Sequence, residues 1–291
     1  MKNHFFISML AAAALLGGLT ACNGKLDKAP RADQVPENAV RITASIGNPF
    51  STTRSTPLGT EEEQGKFNVG DEIFVKDNFL NYATYRFDGT VWTPKEGEYL
   101  LWKSDMESFE AYYPAEWGEK GFNHEIYHHP TDQSSTEKIA KADLMSVVLI
   151  NQAKTKEALH FTMYRWTTRL IVEIAGFKSE FPGDAKVENV RFHNKSNASA
   201  PQRTYIPYAK GEGKTGSTYT VLVPGDAAYN TISLEVGGKT MTAKLSEITY
   251  DRGLSYTYRL TVGKEKLETT EVTVSDWTGS AVIQGGEAEA N

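Results

Sequence analysis

The chain has 291 residues, a formal net charge of −6 and a single cysteine. The acidic balance, with no basic cluster, argues against a nucleic-acid partner, and one cysteine excludes an internal disulfide. Aromatic residues at 11%, with 14 Tyr and 24 Gly, instead suit strands joined by turns.

The chain opens MKNHFFISMLAAAALLGGLTAC. Lys2 precedes an apolar run from Phe5 to Leu16, and small residues close it. That is the layout of a secretory signal peptide over residues 1–21, too short and wrongly flanked for a spanning helix. Leu19-Thr20-Ala21-Cys22 resembles the bacterial lipobox, whose cysteine is lipidated and becomes the first residue of the mature chain. Cys22 is therefore the expected lipidation site. A single acyl chain holds a protein only marginally, at about 0.8 kcal/mol per buried CH2, whereas two or more anchor it stably. No second long apolar run follows, so the mature chain is expected on a membrane face and not within it. Its length, about 270 residues, is enough for two ordinary domains.

Residues 22–38 are polar and proline-containing and read as a flexible tether. The first strand is AVRITASI, in which Val40, Ile42, Ala44 and Ile46 alternate with polar neighbours. Asn48 to Gln64, with TTRSTP and the run Glu61-Glu62-Glu63, reads as a solvated loop. DEIFVKD follows, then NYATYRFDGTVWTP, whose Asp88-Gly89 between two aromatic arms predicts a hairpin. SFEAYYPAEW places Phe109, Ala111 and Tyr113 on one face. TEKIAKADLM is the one helix-like patch. LHFTMYRW and RLIVEIAGF continue the strands, with Leu170, Val172 and Ile174 in register. Beyond them KVENVRFHN, STYTVLVPG, NTISLEV, a Gly237-Gly238 turn, KTMTAKL, LSYTYRLTV and TTEVTVSDW are spaced like a meander or Greek-key sandwich. The pattern predicts an all-β chain of two tandem antiparallel β-sandwich domains, residues 39–178 and 179–291. The division is placed in GFKSEFPG at 176–183.

Some segments look catalytic. His124-Glu125-Ile126-Tyr127-His128 matches the zinc-protease pattern, but that chemistry needs a helix presenting both histidines on one face. Gly121 and Pro130 bracket the segment and leave too little room for one. Adventitious metal binding by His124, His128 and His129 is a better reading of the segment than a catalytic zinc site. Gly-Glu-Gly-Lys-Thr at 211–215 lacks the spacing of a phosphate loop and reads as a turn. Asp71, Glu72, Asp105 and Glu107 have no convergent partner in the sequence. The tryptophans at 92, 102, 117, 166 and 277 are expected in the core, although an exposed row would suit a glycan platform. No catalytic residue, metal or cofactor is expected.

Several segments in order resemble the fimbrillin-like (Mfa-like) lipoproteins of Gram-negative anaerobes. They are the lipobox, Thr53-Arg54-Ser55-Thr56 after the first strand, NVGDEIFV at 68–75, FEAYYPA at 109–115, TDQSSTEK at 131–138 and DLM at 143–145. YTVLVP at 219–224, LSYTYRLTV at 254–262 and VTVSDWTG at 272–279 complete the series. The resemblance implies two transthyretin-like sandwiches and a lipoprotein precursor that passes through the periplasm to the outer membrane. It also implies an Arg-specific protease that removes the first strand, and other fimbrial subunits as partners in a surface fimbrium.

An incomplete sandwich exposes an apolar groove flanked by unpaired N–H and C=O groups, where a strand from another chain can pair. Until then the first strand would fill it, with Val40, Ile42 and Ile46 as plugs, and protect the edge. A cut must fall just beyond that strand, and Arg54 is the best-placed arginine. Arg31 lies upstream of the strand and Arg41 within it. The donor strand is expected at the C-terminal end, from Val272, Val274, Val282 or Ile283; alternatively these residues form the last strand of their own domain. A host or bacterial surface ligand would suit an adhesin. The competing reading is a surface lipoprotein that binds glycans for nutrient capture.

Overall fold

The computed structural model describes residues 35–47, 58, 66–119, 129–195, 202–225, 229–245, 250–263, 267–276 and 281–284; beyond residue 263 it defines backbone pairing only. Among them the chain is strand after strand, and from Val35 onward it belongs to one compact unit.

The first half holds β1 (Ile42–Ile46), β2 (Glu72–Asp77), β3 (Tyr82–Phe87), β4 (Trp92–Pro94), β5 (Met106–Tyr113), β6 (Met145–Ala153) and β7 (Leu159–Arg165). They join in the order β1-β7-β6-β5-β2-β3-β4. Alternation does what period two dictates: Ile73 and Val75 of β2, Tyr85 of β3, and Phe109 and Ala111 of β5 all turn into one core. β6 and β7 pair only at Met145↔Arg165 and Ser146↔Tyr164, so the sheet divides there into two layers around that core. The Asp88-Gly89 hairpin forms, but with a four-residue loop between Phe87 and Trp92. The Asp88 carboxylate accepts the N–H groups of Thr90 and Val91, both at 2.8 Å, and Gly89 takes a φ of +104°.

Two short helices interrupt the strands. α2 (Thr136–Ala140) lies in the expected TEKIAKADLM patch and is capped by Ser135, whose hydroxyl accepts the N–H of Lys138. α1 (Ala115–Glu119) lies where a strand was expected, just past Pro114, a residue without the N–H that a ladder needs. It packs directly on β2: a Cβ on Gly118 would fall 2.3 Å from Phe74 Cδ1, so only glycine permits the approach.

The second half is a two-layer sandwich. One sheet runs β11 (Tyr208–Lys210), β12 (Thr218–Pro224), β8 (Thr167–Phe177), β15 (Leu254–Val262), β16 (Leu267–Asp276) and β17 (Ala281–Gln284). The other runs β10 (Arg203–Tyr205), β9 (Glu188–Lys195), β13 (Tyr229–Val236) and β14 (Lys239–Lys244). Leu170, Val172 and Ile174 face Phe192, Ile232 and Leu234 across a shared core. Gly237 and Gly238, both at positive φ, close the β13–β14 turn as expected.

Two expectations need correction. β8 falls inside the anticipated first domain, yet it pairs with β12 and β15 and lines the second core. Residues 176–183 are therefore a crossing from β8 to β9 within one sandwich. The passage between the two cores is at Trp166, where an unbroken run of strand-forming residues hides it. Nor are the sheets wholly antiparallel, because β1 runs parallel to β7 and β15 parallel to β8.

Candidate functional site: the first strand and its groove

β1 is the outermost strand of its sheet and is paired on one side only. Its partner is β7, in register from Ile42↔Leu159 to Ile46↔Met163. The residues before it run antiparallel to the 100–102 segment: Val40 N–H donates to Leu100 O at 2.7 Å and Trp102 N–H to Asn38 O at 2.9 Å. Val40, Ile42 and Ile46 are buried among Tyr85, Trp102, Phe109, Phe161 and Met163. Burying three such side chains is worth roughly 5–9 kcal/mol, comparable with the whole stability of a domain. The groove cannot stand empty at that cost.

Polar contacts fix the register. Tyr85 Oη donates to Val40 O at 2.7 Å, and burial pushes this phenol's pKa upward, so it stays a neutral donor. On the outer face the two ring nitrogens of His160 contact Thr43 Oγ1 at 3.0 Å and Ser45 Oγ at 2.9 Å. Arg41 is half-buried, and its Nη1 donates to Lys156 O at 2.6 Å. At the exit, Gly47 passes so close to β7 that a Cβ would lie 2.6 Å from Thr162 Cγ2 and 2.7 Å from Tyr164 Cε1. Arg54 follows eight residues after Ile46. Cys22, Arg31 and Arg54 lie outside the described residues.

At the other end of the chain, β16 pairs with β15 from Leu254↔Asp276 to Val262↔Leu267. Val272 and Val274 stand opposite Tyr258 and Tyr256. β17 forms the sheet edge, with Val282 and Ile283 opposite Thr273 and Val272. Both stretches weighed as donors are thus strands of their own sheet here.

Residues 53–277 match the model of the fimbrillin-like family. The chain belongs to that family. It is accordingly a fimbrial or adhesion subunit, a class that works at the cell surface. β1 and β17 both lie outside the matched span. Among solved structures, a candidate cell adhesion protein from Bacteroides uniformis is similar with a TM-score of 0.56 and 16% identity. The match covers 83% of this chain and 100% of that one. A candidate cell adhesion protein from Bacteroides ovatus matches with a TM-score of 0.54 and 13% identity, over 87% and 98% of the two chains. At such identities these likenesses speak for the fold. No curated protein matches the sequence.

Several other sites singled out in this fimbrillin-like chain have structural roles where the residues are described. His129 is buried, its Nε2 2.9 Å from Ala142 O, and burial lowers its pKa to about 3. It therefore joins no exposed histidine cluster; His124 and His128 lie outside the described residues. Among the described residues no group of three or more His, Cys, Asp or Glu could hold a metal ion. Gly213 closes a turn at φ +80°, where a Cβ would fall 2.2 Å from Val187 O. Glu72 is shared by Arg86 at 2.6 Å and Lys95 at 2.8 Å, and Glu107 is buried, accepting the N–H groups of Lys103 and Ser104. Trp92 and Trp102 are buried, Trp117 and Trp166 half-buried, and Trp277 lies outside the described residues.

Sequence reasoning missed the residues that join the two cores. The side chain of Gln133 imitates a strand: its Nε2 donates to Leu222 O at 2.7 Å while its Oε1 accepts the Leu222 N–H at 2.8 Å. Asp143, fully buried, is gripped by Arg165 through contacts of 3.0 and 3.1 Å. Arg252 stacks over Trp166 at 4.1 Å. The TDQSSTEK and DLM segments are therefore parts of the joint. A glutamine in a polar run carries no signal of burial, so nothing in the sequence could have marked Gln133.

Proposed function

We propose that the chain is a fimbrial structural subunit or adhesin, exported as a precursor, acylated at Cys22 and delivered to the outer membrane. An Arg-specific protease cuts after Arg54, β1 leaves, and a strand from another subunit fills the groove. The observation that carries this reading is β1 itself: an edge strand with a single strand partner whose Val40, Ile42 and Ile46 are nonetheless core residues. Removing it exposes both an apolar trough and the open ladder of β7, the two things strand addition requires. Because donor and acceptor surfaces differ, the contact is heterologous and propagates into a filament. β17, at a sheet edge and carrying Val282 and Ile283, is the strand we assign as donor, with β16 and its Val272 and Val274 remaining at home. The chain has no catalytic task in this account.

The alternative, a glycan-capturing lipoprotein, wants an exposed aromatic row, and none of the four described tryptophans is exposed. The deciding experiment treats the chain lacking residues 1–22 with an Arg-specific protease, reads the new N-terminus and runs the product on SDS gels without boiling. A start at Ser55 with SDS-resistant ladders supports the proposal. Resistance of Arg54, or a cut product that stays monomeric with or without other fimbrial subunits, refutes it.

A further inference from the structure

On the face of the β2–β3 sheet that points away from the first core lies an open cleft of about 660 Å³, within the range of ligand pockets. Phe74, Tyr82 and Thr84 form its floor, the loop after β4 one wall and the end of α1 another. Tyr82 is 67% exposed, yet its ring is held in place by stacking on Phe74, with centroids 5.1 Å apart and planes at 27°. An aromatic face is thus presented to solvent in a fixed orientation.

Three carboxylates surround it, Glu96, Glu98 and Glu119. Glu119 Oε1 is oriented by the Thr84 hydroxyl at 3.0 Å. Glu96 and Glu98 make no ion pair among the described residues. Lys95, the one cation among the described lining residues, is turned to Glu72 at 2.8 Å and leaves the described lining acidic. An anion is repelled here, and an uncharged sugar, which can stack on the ring and donate hydroxyls to the carboxylates, leaves their negative charge uncompensated. A guanidinium is the group that uses every feature: its plane stacks on an aromatic ring while its edge pairs with carboxylates.

We propose that this cleft binds an arginine side chain on a basic segment of a partner protein. β1 lines no part of it, so the proposal is independent of strand exchange and goes beyond it. The test is an amide-resolved NMR titration of the uncut chain lacking residues 1–22, with the probe acetyl-Gly-Arg-Gly-Arg-Gly-amide. The control peptide carries citrulline in place of arginine, which keeps shape and removes charge. The expected result is shifts clustered at Tyr82, Thr84, Glu96, Glu98 and Glu119, absent with the control. Affinity should fall about tenfold in Tyr82→Ala and in the double variant Glu96→Gln, Glu98→Gln, all exposed positions where folding is not at stake. Equal binding of the citrulline peptide, shifts scattered over the acidic surface, or wild-type affinity in Tyr82→Ala would each overturn it. So would the absence of any shift at millimolar peptide.

Discussion

Tyr85 reaches through the first core to donate a 2.7 Å hydrogen bond to the carbonyl of Val40, tying β3 to the entry of β1. Both residues are fully buried, so water cannot replace the bond. Tyr85→Phe keeps the ring and removes the donor. The uncut chain should lose about 1–3 kcal/mol in urea unfolding, the usual cost of an unsatisfied buried acceptor. After cleavage the same substitution should speed the departure of β1, measured as release of the fragment ending at Arg54.

Ile42→Ala tests whether β1 is a plug and not a decoration. A buried isoleucine cut back to alanine costs about 2–5 kcal/mol. Thr43→Ala, one position along on the exposed face, should cost less than about 1 kcal/mol. If the two losses were equal, the apolar face of β1 would not be what holds it.

The joint between the cores titrates. His129 is neutral in the folded chain because burial lowers its pKa from 6.5 to about 3. The unfolded chain takes up a proton below pH 6.5, so His129 contributes stability in full above that value. The contribution declines as pH falls toward 3, by about 1.4 kcal/mol per unit. His129→Gln should flatten the pH dependence of the urea midpoint between pH 6.5 and 4.5 relative to wild type. Parallel curves would contradict the assignment.

How far the sequence could be read follows from how local each signal is. Val40, Ile42 and Ile46 alternate within a few residues, so the plug was visible, as was the Gly237-Gly238 turn. That β1 lies parallel to β7 depends on Leu159–Met163, more than a hundred residues away, and no periodicity encodes it. β8 lies in the second core where the pattern predicts the first, for a related reason: strand-forming residues run from Leu159 to Phe177 with no break where the chain changes sheets. Gln133 and Asp143 sit among polar neighbours, and only their distant partners, Leu222 and Arg165, make them interior residues.

Gln133→Leu preserves size and abolishes both hydrogen bonds to Leu222, leaving a buried N–H and C=O on β12 unpaired at that point. The expected loss is about 2–4 kcal/mol. It should appear as a second, earlier transition in urea if the two cores separate before either unfolds, followed by tryptophan fluorescence from Trp166.

The central claim is that β1 must leave before another subunit can enter. Ser45 and Thr162 are register partners across β1 and β7, and removing residues 1–22 removes the native cysteine. Ser45→Cys with Thr162→Cys then gives a disulfide that locks the strand in place. The oxidised chain, cut after Arg54, should keep its fragment and stay monomeric, and reduction should release the fragment and yield SDS-resistant oligomers. Oligomers formed while the disulfide is intact would contradict the account, as would a reduced, cut chain that releases β1 and still fails to accept a strand.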